Sequence, residues 1–263
     1  MAINANTKIY DKAIDRAAMI RLYERRVNGK VELVINGHAV RVDKLIKDAN
    51  FSVVGFEIFR EAVDKELART FVEAASLTKR SLVDLAADQI SYGYQNIEVA
   101  MNKIWRTEKP VRKIAEEIVL EKPLYNNKTL DQGWAGISLG EKKRLESVIR
   151  KGIADGQTVD QIALAVRENN VHTITKFQSK ALVVTSITSV TAQSDHAVYK
   201  ANEKAIEGWQ YVAVLDSRTT PLCAHRDGSI YPISDTSHLP PAHFHCRSTT
   251  VPVFKSWDDI SKL

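Results

Sequence analysis

The stretch 171–206, VHTITKFQSKALVVTSITSVTAQSDHAVYKANEKAI, decides the fold. Val183, Val184, Thr185, Ile187, Thr188, Val190 and Thr191 make its middle β-branched. Such side chains are stiff at χ1 and poor helix formers, so a buried strand over 182–190 competes with a helix there. The run from about 174 to 206 reads as one long helix, which burial must hold. Directly before it, Thr158 is placed to cap a short helix carrying Ile162, Ala163 and Val166, after a stop at Gly156. Directly after it the texture changes to WQYVAVLD (209–216), a strand in which Trp209, Tyr211 and Ala213 alternate. The remainder of the chain is rich in turns: SRTTP, RDG, YP and LPP.

Further upstream, apolar residues at Ile9, Ala13, Ala17, Ile20 and Leu22 suggest an amphipathic helix over 8–28. VELVI and HAVRV flank Asn36-Gly37, a strong short-range hairpin signal, which predicts strands at 31–35 and 38–43. Residues 54–121 read as helical almost throughout. Phe56, Phe59, Val63, Leu67 and Phe71 recur at helical spacing, Gly93 interrupts, and Pro110 precedes a short helix from Val111 to Leu120. The segment 121–137 reads as a loop and boundary. Ser138 with Glu141 then resembles a capping box for a helix that stops at Gly156. The fold class expected is mainly α, with a small N-terminal β-hairpin and a C-terminal irregular α+β module. The division expected is 1–125, 138–208 and 209–263.

The chain has 263 residues, a formal net charge of +5, seven histidines and two cysteines. That length supports a sizeable core, and 26% charged residues beside 44% hydrophobic ones exclude wholesale disorder. No apolar run approaches the roughly 18 residues of a membrane span, and the start lacks the apolar core of a signal peptide. A protein made and kept inside a cell, or inside something assembled there, is expected. The mild basic excess suits nucleic acid or an acidic protein surface, and more simply a solvated basic face. All of that excess lies before Trp209.

Both cysteines, Cys223 and Cys246, fall near the end, beside His225, His238, His243 and His245. Cys223-Ala-His225 and His243-Phe-His245-Cys246 are two short clusters of soft and borderline ligands, the arrangement from which zinc sites are built. The ligand set expected is Cys223, His243 and Cys246, with His225 or Asp216 fourth, around one structural zinc ion. A turn-rich segment with little apolar core gains folding free energy by closing on a metal. Two buried core cysteines without metal, or a disulfide, are the alternatives. Nothing resembles HExxH, and no glutamate is poised as a base, which argues against metal-dependent hydrolysis. Arg218 and Arg247 flank the clusters, and a guanidinium fork suits Asp216 or Asp227, tying the strand end to the second cluster. Gly228 reads as a turn glycine at positive φ, and Pro240-Pro241 as an extended strut.

DSRTTPLCAHRDG (216–228) and then LPPAHFHCRSTTVPV (239–253) resemble the C-terminal signature of the phage head-morphogenesis family, the Mu F-like minor head proteins. The helical lead-in from Ser138 is similar too, so the resemblance runs over about residues 138–254. The family's Arg-Thr-Glu triplet is replaced here by Val184-Thr185-Ser186-Ile187. The resemblance implies a non-enzymatic minor head protein located in the virion, at the capsid interior or portal vertex. Its implied partners are the portal protein and capsid subunits, and its implied roles are capsid assembly, genome packaging or DNA delivery. No membrane is implied. Lys142, Lys143, Arg144, Arg150 and Lys151 are candidates for non-specific contact with packaged DNA, or a solvated helix face. Residues 158–180 have the rhythm of a helix-turn-helix, in which Lys176, Gln178 and Lys180 are the candidates for base contacts. A metal-dependent hydrolase and a DNA-binding regulator are the competing function classes. His38, His172 and His196 read as isolated packing or surface histidines, and Trp105 and Trp134 as local core or partner anchors.

Overall fold

The computed structural model describes residues 5–101 and 106–256. Seven helices and three strands occur in chain order among them. They are α1 (Ala5–Lys47), α2 (Val53–Met101), α3 (Val111–Leu120), α4 (Leu130–Ala154), α5 (Val159–Glu168), α6 (Val171–Ala201), β1 (Ile206–Val212), α7 (Pro221–Arg226), β2 (Ile230–Pro232) and β3 (Thr249–Phe254). The chain therefore is mainly helical with a small antiparallel sheet. That sheet lies at the C-terminal end, in the order β2-β1-β3. Trp105, a candidate anchor by sequence, lies outside the described residues.

The N-terminal hairpin does not form; residues 31–43 are continuous helix within α1. Val27, Val31, Ile35, His38, Val42 and Ile46 are all buried, at spacings of three and four. Leu33 and Val40, on the other side, are 73% and 71% exposed. A long-range helical stripe outweighs the local preference of Asn36-Gly37 for a turn, since both residues fit helical angles at a propensity cost only. Two other breaks expected from the sequence are also absent. Gly93 sits inside α2, where a Cβ would come within 3.1 Å of Val198, so it is a close-packing glycine and not an interruption. Ser138 is interior to α4, which starts at Leu130. Leu130, Trp134 and Ile137 bury one face of its first two turns, and Gly133 packs where a Cβ would meet Leu182 at 2.8 Å. Glu141 therefore cannot complete a capping box. It is fully buried instead. Burial raises its carboxyl, but His172 and His38 beside it bring the value down to about 2.

Other elements agree closely with the sequence. Thr158 caps α5 through a full capping box: Gln161 N donates to its hydroxyl at 3.3 Å, and Thr158 N donates to Gln161 Oε1 at 2.8 Å. The β-branched run is helical, within α6, and residues 183–190 are buried on every side. Burial holds this helix where propensity does not.

The chain divides into two compact units. Among the described residues the first comprises 5–25, 79–101, 106–129 and 184–256, and the second 26–78 and 130–183. In the first, Trp209 and Tyr211 of β1 are fully buried, and Trp209 stacks on Tyr231 of β2 with ring centroids 4.7 Å apart. Tyr199 of α6 donates to the carbonyl of Thr250 in β3 at 3.2 Å. A buried polar chain also runs through this unit: Arg16 donates to Gln89 at 2.8 Å, and Gln89 to Asp195 at 2.7 Å. Burial pushes the Asp195 carboxyl up to about 7, with Gln89 and Arg16 opposing. In the second, Phe71 packs near Trp134, and α4 and α5 lie against each other.

Gly37→Ala distinguishes helix from turn. Inside a helix the alanine is expected to raise the urea midpoint, by about 0.5–1 kcal/mol in stability. A Cβ at this position meets the Arg41 guanidinium at 2.9 Å, which has to shift slightly while keeping its bonds to Glu66 and Thr70. In an Asn-Gly hairpin turn the same change would lower the midpoint, because alanine resists positive φ.

Candidate metal centre

Three short pieces of the first unit meet over β1. Thr220 caps α7, accepting a bond from Cys223 N at 3.4 Å, and Pro221 occupies the first helical turn. This Thr-Pro start is a recognisable helix signal, which reading 217–232 as turns alone misses. It places Cys223 on the buried side of α7. The second piece is the 243–246 turn, in which His245 adopts φ 59°. It is pinned to α6 by two hydroxyls: Thr185 accepts from His245 N at 3.2 Å, and Thr188 donates to the Cys246 carbonyl at 2.8 Å. The third is Tyr211 in the strand itself.

Cys223, His243 and Cys246 bring their ligand atoms within 4.8 Å of one another and could hold a metal ion. Cys223 Sγ lies 3.8 Å from Cys246 Sγ and 3.1 Å from His243 Nε2. The cysteines are free thiols. Two metal–sulfur bonds of ~2.3 Å at a tetrahedral angle separate the sulfurs by about 3.8 Å, so the pair fits zinc without moving. His243 Nδ1 faces the carbonyl oxygen of Phe244 at 2.7 Å. An oxygen acceptor there keeps a proton on Nδ1, so Nε2 is the nitrogen a metal would take, in place of its contact with Cys223 Sγ. The Tyr211 hydroxyl sits 3.3 Å from Cys223 Sγ and 3.8 Å from Cys246 Sγ. Burial pushes that hydroxyl well above its ordinary range, so it stays a protonated donor to sulfur. Burial also raises the Cys223 thiol, but bonds from Tyr211, Thr220, Ser248 and His243 together bring it down to about 7. The environment thus eases loss of the Cys223 proton.

The other residues singled out by sequence take different places. His225 is exposed on α7, and neither it nor Asp216 joins the converging group. Asp216 is held instead by Arg247, which donates through both terminal nitrogens at 2.6 and 2.5 Å. Arg218 N donates to Asp216 Oδ1 at 2.9 Å, closing the turn after β1. Among the described residues Asp227 meets no arginine; its carboxylate accepts from Ala213 N at 2.8 Å and fixes the strand end to the Gly228 turn, where φ is 77°. The Pro240–Pro241 bond is cis, so this pair bends and is not the extended strut expected. Tyr211, Thr185 and Thr188 are not legible in sequence as site residues. The tyrosine shows there only as one member of an alternating strand, and the threonines only as poor helix formers.

Residues 143–251 match the Phage Mu protein F like protein family. No curated protein and no solved structure matches the chain. The family match spans the last turns of α4, all of α5, α6, β1, α7 and β2, and the start of β3. It includes Cys223, His243, Cys246 and the Asp216–Arg247 fork, and agrees with the resemblance read from the sequence. The basic stretch on α4 partly precedes it. Lys142 pairs with Asp64 at 2.6 Å, Arg144 donates to Thr175 at 3.0 Å, and Arg150 lies over the Phe56 ring at 5.0 Å. Lys143 and Lys151 are exposed. Of the residues considered for base contacts, Lys176 pairs with Glu32 at 2.5 Å. Among the described residues, no helix is long and apolar enough to cross a membrane.

Replacing Arg247 by Lys removes the two-pronged contact while keeping the charge. The variant is expected to unfold at a lower urea concentration than wild type at neutral pH. Arg247 holds the Asp216 carboxyl below the usual carboxylate range. The fork's stabilisation is therefore complete above an unfolded value of about 3.9 and is lost as pH falls below it. Parallel urea titrations at neutral and strongly acid pH check this, and a gap that persists unchanged in acid contradicts it.

Proposed function

We propose that this protein is a minor head protein of a phage, a structural component of head morphogenesis with no covalent chemistry of its own. The observation that carries this reading is the family match over the segment that builds the Cys/His turn. The site's chemistry supports it. Among the described residues the converging group contains no carboxylate, Asp216 is occupied by Arg247, and Asp227 is occupied by the backbone. A hydrolytic metal centre needs an open position and a poised base. Here the Tyr211 hydroxyl, a protonated donor, stands next to both sulfurs.

In this reading the module is a rigid knob, and Cys223, His243 and Cys246 would hold one zinc ion. When bound, the ion supplies cross-linking of α7 to the 243–246 turn; the chain's own side chains orient the ligands. Val214, Leu215, Leu222 and Phe244 are exposed apolar side chains of this module and offer contact area to portal protein or capsid subunits. Lys143 and Lys151, both exposed, would supply non-specific contact with packaged DNA, which would weaken with salt. The work is in capsid assembly, genome packaging or DNA delivery, and the place is the virion.

Mass spectrometry of purified phage particles tests this. The chain is expected in the particles, at low copy relative to the major capsid protein, and its deletion is expected to reduce filled heads. Its absence from particles, with normal head yield after deletion, would overturn the reading.

A further inference from the structure

The second compact unit holds a polar cluster that the head-protein reading does not use. Histidines 38 and 172, isolated in sequence, meet there across the buried carboxylate of Glu141. His38 comes from α1, Glu66 and Thr70 from α2, Glu141 from α4 and His172 from α6. His38 and Glu141 are fully buried, and the His172 side chain is 17% exposed.

The hydrogen-bond pattern fixes which atoms are available. Thr70 donates its one hydroxyl proton to Glu66 Oε1 at 2.9 Å. Glu66 Oε1 also accepts from Arg41 Nε at 2.7 Å. His38 Nδ1 lies 3.2 Å from both Glu66 Oε1 and Thr70 Oγ1. With both neighbours acting as acceptors, Nδ1 carries the proton. This is the carboxylate–histidine support that fixes a ring for metal ligation through its other nitrogen. His38 Nε2 lies 3.3 Å from Glu141 Oε1, an ion-pair distance when the ring is protonated, and makes no hydrogen bond. Glu141 Oε2 is likewise buried without a partner. A proton on Nε2 offsets the Glu141 charge there, and a metal ion in its place would do so while also taking up the unpartnered Glu141 Oε2. Two ligands on one metal, with bonds of ~2.05 Å at a tetrahedral angle, stand about 3.3 Å apart and aim at a third point, not at each other. The third group, His172 Nδ1, is 2.7 Å from Glu141 Oε1. It needs to open by about 0.6 Å to reach the same separation. Its ring is the solvent-facing member of the cluster, 17% exposed.

We propose that His38 Nε2, Glu141 and His172 Nδ1 form a second metal site, for a divalent ion of the zinc class. Two imidazoles with one carboxylate suit a borderline metal and disfavour magnesium or calcium. Glu141 as ligand and Glu66 behind His38 offset the ion's charge, and the metal would tie three helices of this unit together. The site is independent of the Cys/His turn.

Cobalt(II) titration of chelator-stripped, full-length protein reads the two sites separately. Cobalt on thiolates gives a sulfur-to-metal charge-transfer band, whereas cobalt on two imidazoles and a carboxylate gives only ligand-field absorption. One equivalent of the second kind is expected. His172→Ala is expected to remove it, or weaken it by about tenfold or more, while leaving any thiolate band unchanged. His172→Asn keeps an amide donor for Glu141 and serves the same comparison if the alanine variant fails to fold. Equal cobalt equivalents in wild type and variant, or no cobalt bound without a thiolate band in wild type, would overturn the proposal. Loss of the thiolate band alone would count against the Cys/His centre and leave this result standing.

Discussion

The convergence of two thiols and an imidazole over β1 constrains everything in the C-terminal module. Residues 213–248 include few buried apolar side chains, so hydrophobic burial alone cannot order them. Their place is set by short polar links: Asp227 to the strand end, Arg247 to Asp216, and Thr185 and Thr188 to the 243–246 turn. A single neutral hydrogen bond contributes about 0.5–1.5 kcal/mol net, so the set matters collectively. Its effect is to deliver Cys246 and His243 to Cys223 with Nε2 already directed at the sulfur. In the proposed role as a binding knob such preorganisation helps, because less is lost on association.

The β-branched run of α6 makes sense in that light. A helix of valines, isoleucines and threonines is poor by propensity, yet residues 183–190 are buried all round, and burial supplies what propensity lacks. The threonines serve two neighbours. Thr188 sits within reach of its own helix at Val184 and donates at shorter distance to Cys246. Leucine or alanine would make a better helix there and could not hold the turn. Local preference yields to tertiary need at the positions that build the candidate site.

Legibility in the sequence depends on the range of the interaction. The α5 cap, the start of α3, the Trp209/Tyr211 strand, the Gly228 turn and the pairing of Cys223 with the 243–246 cluster are local or carried by spacing, and all can be read. Asn36-Gly37 is also a strong local signal, but a buried stripe from Val27 to Ile46 overrides it. The Ser138 start of α4 fails for the same reason: Leu130, Trp134 and Ile137 find partners that a linear reading does not contain. Glu141 shows the limit most clearly. In sequence it is a capping-box glutamate, and in the fold it is a buried carboxylate between two histidines separated by more than a hundred residues. Nothing in local spacing brings those three together.

Elemental analysis of the purified full-length protein, beside Cys223→Ser and Cys246→Ser, tests the central claim most directly. Wild type should carry zinc, and each serine variant should hold one equivalent less while α1–α6 keep their helical signal. Fully folded wild type that holds no metal, or zinc content unchanged by both substitutions, would contradict the account.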